Sequence, residues 1–226
     1  MTILSNLGNR KNLYVCELNM KKIFLGCLIS LSISLFAQLP QNLNDYTKLI
    51  LSQNTGLKSE DLAEMKISSQ STDNKNGVTH IYINQYYKNL PIHNAVLGLH
   101  LNKESKIVAL NSTFFKNLGI VSATSNPAIT ANEAAIFALN EKNKGSIISI
   151  SANSLEKISS TQFESTFKNA ELAQGDIKVK LKWVSVNATL KLVWNVNWIT
   201  KDEQNWWNLR IDAITGKLAD ENNWIL

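Results

Sequence analysis

Three apolar runs, each about the length of one strand, limit the folds open to this chain. In residues 80–87, β-branched or aromatic side chains occupy both sides of an extended backbone, which indicates a strand covered at least partly on each face. Residues 88–91 interrupt this run with turn-forming residues, and Pro91 disfavours helix at the position before it. Further apolar runs follow at 95–101 and 106–115. The order predicts an antiparallel meander.

The aromatic, amide and turn residues of this region resemble the fungalysin/thermolysin propeptide (FTP) domain. The positions that match in order are Tyr82, Gln85, Tyr86, Tyr87, Pro91, Ile92, Ala95 and His100. Where that family commonly has glycine, this chain has Asn89, Asn94 and Ser105, and His93 stands where an aromatic residue is expected. Asparagine is the best substitute for glycine at positive φ. We expect the matching residues to serve the fold rather than catalysis.

Residues 1–37 read as an over-extended start followed by a secretory signal peptide over residues 20–37. Two lysines after Met20, an apolar stretch and Ala37 at its exit are typical of such a signal, which is too short and serine-rich for a transmembrane helix. A lipoprotein signal ending at Cys27 is the alternative. We therefore expect an exported, bacterial protein with no stable membrane span once the signal is removed.

Cysteine occurs only at Cys16 and Cys27, so the chain from residue 38 offers no disulfide, thiolate ligand or cysteine nucleophile. Its fold must therefore rest on an apolar core, for which about 190 residues suffice. This part carries 19 basic and 17 acidic residues, with no basic run among aromatic residues. That composition argues against a nucleic-acid partner.

A second group of alternating runs occupies the last fifty residues. Thr130 and Glu133 form a capping box before an apolar run, which predicts a helix that precedes the group. Apolar residues then alternate with polar ones in 178–183, 190–198 and 207–211. This alternation predicts another antiparallel meander with one apolar face.

The turn after these runs reads Asp-Ala-Ile-Thr-Gly-Lys over residues 212–217. Asp212 can accept backbone hydrogens across the turn, and Gly216 can supply the left-handed position. With the preceding apolar-Trp-apolar pattern, Asp212, Thr215 and Gly216 resemble the end of a PepSY-type unit. In M36 (fungalysin-type) metallopeptidase precursors, such a unit follows the FTP unit inside the propeptide. Together the two resemblances cover roughly residues 43–224.

The sequence therefore predicts an α+β fold of two small units, each an antiparallel sheet packed with one or two helices. The FTP-like unit is expected at 38–117 and the PepSY-like unit at 130–226, with a linker at 118–129 between them. A helix is expected at 44–53 and a short strand at 147–150. Residues 155–175 have loosely helical spacing and are equally compatible with irregular structure.

The sequence contains no catalytic constellation. A zinc peptidase of this kind needs two histidines four residues apart on a helix, with glutamate directly after the first. His80, His93 and His100 have neither feature, so we expect ordinary strand histidines. The Gly-x-Ser-x-Gly pattern and glycine-rich phosphate loops are also absent. We predict no enzyme activity, no catalytic or metal residues and no cofactor here; zinc would belong to a catalytic domain outside this sequence.

All six tryptophans lie in the last 44 residues: Trp183, Trp194, Trp198, Trp206, Trp207 and Trp224. At least four alternate with aliphatic residues, so a role in the core is the expected one. Trp206 and Arg210 fall on the other side of the alternation. These two residues are the better candidates for contact with a partner.

The resemblance implies the propeptide region of a secreted M36-type zinc metallopeptidase, acting as intramolecular chaperone and inhibitor of the catalytic domain. The implied partner is that catalytic domain, in cis or in trans. Two alternatives stay open. One is a free-standing secreted inhibitor or chaperone that acts in trans on a separate peptidase, and the other is a Trp-rich binding or adhesion module.

Overall fold

The computed structural model of the chain describes residues 42–144 and 150–225, which contain two α-helices and ten strands. The elements are α1 (Leu43–Leu51), β1 (Met65–Thr72), β2 (Thr79–Tyr87), β3 (Leu90–Leu101), β4 (Ile107–Ser112), α2 (Ala131–Lys142), β5 (Glu156–Ser160), β6 (Glu164–Lys168), β7 (Ile177–Val186), β8 (Thr189–Ile199), β9 (Trp206–Asp212) and β10 (Leu218–Asn223). The predicted signal peptide and most of the short strand predicted at 147–150 lie outside the described residues. Neither described α-helix has the length and apolar character that a membrane crossing requires.

Strands β1 to β4 form the predicted antiparallel meander. Ile81 and Ile83 of β2 lie opposite Leu99 and Leu97 of β3, and all four are fully buried. The helix predicted before the strands is α1, and its apolar side adds Tyr46 and Ile50 to the same core. One side of this meander therefore faces the core, while the other remains partly open.

The second meander contains strands β5 to β10, which pair with one another in antiparallel fashion. Leu181, Trp194 and Ile211 align across β7, β8 and β9 and are buried in the core that also includes the alanines of α2. The predicted capping box is confirmed: the Glu133 N–H donates to Thr130 Oγ1 at 3.2 Å, and the Thr130 N–H donates to Glu133 Oε2 at 2.7 Å. Residues 155–175, left open by the sequence, contribute the β5–β6 hairpin.

The two meanders share one sheet, which corrects the expectation of two small units. Ile92 of β3 pairs in parallel with Trp183 of β7, so all ten strands join a single large sheet. This pairing supplies a neighbouring strand at the start of β3, so that less strand edge is left unpaired there. The fold is accordingly mixed α and β, mostly sheet. Contact between strands so far apart in sequence has no local signature, and the alternation of single strands does not reveal it.

Candidate functional site

The side chain of Gln85 is the centre of a buried hydrogen-bond network in the first meander. Its Nε2 donates to the carbonyl oxygens of Asp61 at 2.9 Å and Phe115 at 2.8 Å. Its Oε1 accepts from the Phe115 backbone N–H at 2.7 Å. Both amide hydrogens and the carbonyl oxygen are thus bonded, as a fully buried amide requires. Gln85 thereby ties β2 to the segments before β1 and after β4.

The carboxylate of Asp61 extends this network and is also fully buried. Its Oδ2 accepts from the Lys58 N–H at 3.0 Å, and its Oδ1 accepts from the Leu118 N–H at 2.7 Å. These bonds compensate for the burial of its charge. The sequence analysis did not single out Asp61, because Leu118 lies 57 residues further along the chain. Lys58 alone is a local partner, and it marks only the start of a short helical turn.

The two-residue turn between β2 and β3 has left-handed backbone at both positions, Lys88 (φ 49°) and Asn89 (φ 63°). This is the conformation of a type I′ hairpin turn, whose twist matches that of the flanking strands. The Glu64 carboxylate accepts from both turn N–H groups, at 2.9 and 2.6 Å. Asn94 and Ser105 also have positive φ, 57° and 59°. Asn89, Asn94 and Ser105, which stand where the FTP family commonly has glycine, therefore all have a left-handed backbone conformation.

Four residues of β2 and β3 define an outward face, turned away from the core: His80, Tyr82, Val96 and His100. The Nδ1 atoms of His80 and His100 are 2.7 Å apart and share a hydrogen bond across the strands. The Tyr82 ring meets the His100 ring edge-on, with centroids 6.1 Å apart. Tyr82 and Val96 are 42% and 37% exposed, so the face presents an apolar surface beside a paired imidazole.

The remaining matching residues lie along the hairpin. Tyr86 is opposite Pro91, and the Lys66 ammonium lies 4.2 Å from the centre of the Tyr86 ring, a cation–π distance. Ile92 and Ala95 are buried in the core. These positions make contacts within the fold.

Tyr87 and Trp183 connect the two meanders. Trp183 Nε1 donates to the Tyr87 carbonyl oxygen at 2.7 Å, and the two rings are 5.4 Å apart. The Tyr87 hydroxyl donates to the Val121 carbonyl oxygen at 2.6 Å. Since Trp183 is fully buried, its indole N–H needs this partner. The last aromatic of the FTP-like pattern thus anchors the second meander.

The turn after β9 has the structure that its sequence predicts. Asp212 Oδ1 accepts from the backbone N–H groups of Ile214 at 3.0 Å and Thr215 at 2.9 Å. Gly216 is left-handed (φ 72°), and a Cβ atom there would lie 2.7 Å from Cε2 of Phe137 on α2. Glycine is therefore required both by the backbone and by the close approach of the helix. Asp212, Thr215 and Gly216 shape a turn that packs on α2.

A basic cluster lies on the sheet face opposite α2 and consists of Lys180, Lys182 and Arg210. Arg210 is fully buried, and its Nη2 donates to Asn222 Oδ1 at 2.6 Å and pairs with Asp220 Oδ2 at 2.7 Å. Its Nε and Nη1 atoms are buried and have no hydrogen-bond partner among the described residues. The side chain of Arg210 is buried on this face, and its role in contact with a partner stays a prediction.

The basic cluster perturbs the titration of its neighbours. Burial, with the charges of Arg210 and Lys180, lowers the pKa of Lys182 to about 8. Burial lowers the pKa of His93 to about 4, assisted by the charges of Lys182 and Arg210 and opposed by Asp220. His93 is therefore neutral at pH 7 and adds no charge, whereas Lys182 remains mostly protonated.

The tryptophans divide as the alternation predicts. Trp183, Trp194 and Trp198 are buried, whereas Trp206 is 37% exposed and meets Trp224 edge-on with ring centroids 5.0 Å apart. Trp206 borders a cavity of about 260 Å³ that Lys178, Asn197 and Trp198 also line. Trp206 thus remains a candidate for partner contact.

The described residues contain no group of three or more His, Cys, Asp or Glu side chains placed to hold a metal ion. His80 and His100 bond to each other, and His93 lies by the basic cluster. The described residues therefore form buried hydrogen-bond networks and two surfaces that a partner could contact. These surfaces are the outward face and the face that carries the basic cluster.

The first meander matches the model of one known family. The family model described as Fungalysin/Thermolysin Propeptide Motif matches residues 63–114, which include β1 to β4 and Gln85, while the hydrogen-bond partners of Gln85 lie just outside this range. This motif belongs to a non-catalytic propeptide domain, and the role it suggests for the region is that of a peptidase propeptide. No curated protein matches the chain.

Two solved structures are similar at low identity. The Bacillus megaterium YpeB C-terminal domain is 11% identical, with 82% of this chain and 66% of that chain covered and a TM-score of 0.33. A lipoprotein of Clostridium difficile 630 is 9% identical, with 73% of this chain and 86% of that chain covered and a TM-score of 0.25.

Proposed function

We propose that this chain is the propeptide region of a secreted M36-type zinc metallopeptidase, where it assists folding of the catalytic domain and inhibits it. The observation that carries the proposal is the FTP motif match at residues 63–114. The Asp212–Gly216 turn, which resembles the end of a PepSY-type unit, supports the specific M36 assignment. Zinc would then be bound by the catalytic domain and not by this chain.

The first meander has the physical properties of a rigid docking surface. The Gln85 and Asp61 network fixes the segments on either side of the strands, and the Glu64 bonds fix the hairpin turn. A surface held in this way loses little conformational entropy when it binds, which favours tight association. The same rigidity suits a template on which a partner completes its own folding.

We place the contact with the catalytic domain on the outward face. Tyr82 and Val96 are diagonal neighbours on adjacent strands, and each is more than a third exposed. Aromatic side chains in such patches commonly supply the anchors of an interface. The proposal therefore makes Tyr82 the first residue to change.

Inhibition is the direct test. The protein is titrated against the purified catalytic domain of an M36 or thermolysin-like peptidase, and residual cleavage of a peptide substrate is measured. We expect stoichiometric loss of activity, and faster recovery of activity when the denatured catalytic domain refolds with the protein present. Tyr82→Asp should weaken inhibition at least about tenfold, because truncating an anchor typically costs more than 1–2 kcal/mol.

Ile158→Asp is the matched control, since Ile158 is 46% exposed on the β5–β6 hairpin, away from the outward face. It should inhibit as the unchanged protein does. Equal inhibition by both variants would reject the outward face, and neither inhibition nor assisted refolding would reject the propeptide role. Inhibition of a catalytic domain encoded separately would favour action in trans over action within one precursor. A tryptophan fluorescence shift with glycans but not with the peptidase would favour the binding or adhesion module.

A further inference from the structure

The Arg210 guanidinium is the least satisfied charged group among the described residues. Two hydrogen bonds use Nη2, which leaves the Nε hydrogen and both Nη1 hydrogens without a described partner although these atoms are buried. Buried charges in proteins are normally paired and fully hydrogen-bonded, because unpaired ones carry a large desolvation cost. The position therefore calls for a further acceptor, and a negatively charged one fits best.

The charges around Arg210 lead to the same conclusion. Arg210 is buried and Lys182 is partly buried, and Asp220 is the carboxylate that pairs with Arg210. Lys180 is already paired with Glu164 at 2.9 Å. The cluster thus retains about one uncompensated positive charge. A neutral acceptor such as water would complete hydrogen bonds but would leave that charge in place.

We infer that Arg210 and Lys182 form a binding site for a carboxylate group. One carboxylate supplies the acceptors that Nη1 lacks and compensates the excess positive charge in the same step. Charge-assisted hydrogen bonds from a guanidinium to a carboxylate are among the stronger polar contacts in proteins. The site requires nothing from the peptidase assignment, because it lies on the second meander and outside the matched motif.

The site has a short path to solvent. Asp220 lies on β10, an edge strand of the sheet, and its side chain is 47% exposed although it contacts the buried guanidinium. Arg210 is thus one side chain below the surface. Lys182 has a long, flexible side chain that can move aside to admit a ligand and then bind it.

The ligand class can be tested on a single NMR signal. The sequence contains two arginines, Arg10 and Arg210, so the Nε–H signals of the labelled protein are assigned with one variant, Arg210→Lys. Sodium acetate is added at constant ionic strength, with chloride as the balancing anion. We expect a saturable shift of the Arg210 Nε–H signal, because a carboxylate bound to Nη1 changes the electronic environment of the whole guanidinium. The Kd should lie in the low millimolar range that a small acid with few atoms can reach.

Two further variants separate binding from misfolding. Lys182→Met should weaken acetate binding about tenfold while the Arg210 signal keeps its position without acetate, because one charged contact is lost. Lys191→Met is the matched control, as Lys191 is an exposed lysine on β8 that does not belong to the basic cluster, and it should leave the Kd unchanged. Bound acetate should also raise the pKa of His93, since it offsets the positive charges beside it.

The alternatives give different results. No saturable shift with acetate beyond that of chloride would overturn the inference and indicate a site filled by water. Equal or tighter binding of inorganic phosphate would overturn the assignment to a carboxylate. Binding of a capped peptide with one glutamate more tightly than acetate would support a polypeptide as the source of the carboxylate, and equal binding would support a free acid.

Discussion

Replacing Gln85 with leucine tests whether the FTP-like motif works through its buried network. The change removes three hydrogen bonds, each worth about 1 kcal/mol net, and leaves the Phe115 N–H in a partly buried position without its acceptor, for about another 1–2 kcal/mol. Burial of the leucine side chain offsets about 1–2 kcal/mol of this loss. We therefore expect Gln85→Leu to lower the free energy of unfolding by about 3 kcal/mol.

Urea unfolding monitored by tryptophan fluorescence gives this quantity, and in a domain of this size it corresponds to a fall in Tm of about 10 °C. Gln70→Leu is the matched control, because Gln70 is an exposed glutamine on the neighbouring strand β1. That change should alter the stability by less than about 0.5 kcal/mol. If the two variants are equally stable, the Gln85 network does not hold the first meander together and the structural account of the motif is wrong.

Two other changes probe the turn after β9 and the surroundings of the basic cluster. Gly216→Ala should cost about 2 kcal/mol, because alanine is strained at φ 72° and its Cβ approaches Phe137; in a Phe137→Ala background the cost should fall to about 1 kcal/mol, and additive effects in the urea double-mutant cycle would contradict the contact. His93 has its pKa lowered from 6.5 to about 4, so the unfolded chain binds more protons between these values and stability is lost as the pH falls from 6.5 to 4. His93→Asn should reduce the loss of unfolding free energy between pH 6.5 and pH 4 by about 2–3 kcal/mol, as measured by urea unfolding. If the stability of the two proteins depends on pH in the same way, the burial of His93 is not the cause of the loss.

Local signals in the sequence predicted the local structure. Thr130 and Glu133 give the capping box because the two partners are three residues apart. Asn89 and Asn94 give left-handed positions because their own side chains tolerate that backbone. The alternation in the last fifty residues gives the faces of the strands, because it depends only on residues that are neighbours in the sequence.

Long-range partners were outside the reach of these signals. Trp183 reads only as a buried strand residue, and its pairing with Ile92, which joins the meanders into one sheet, depends on the path of the whole chain. Asp61 reads as an ordinary acidic residue at the start of a helical turn, while its function is to bond Leu118. The patterns of β2 to β4 and of β7 to β9 were predicted, and the connection between the two sets of strands was not.

Arg210 shows the limit of alternation most clearly. A period of two assigns a residue to one face of a sheet, but it does not say whether that face is covered. Asn195 of β8 lies opposite Arg210, and Asn208 lies two residues before it on β9. Both asparagines are also buried, so polar side chains occupy the covered part of this face. Polar groups buried without full sets of partners cost stability, and an apolar residue at position 210 would avoid that cost. A charged side chain held there is therefore better explained by binding than by folding, and the proposed carboxylate site would give the second meander a role in recognition in addition to its support of the first.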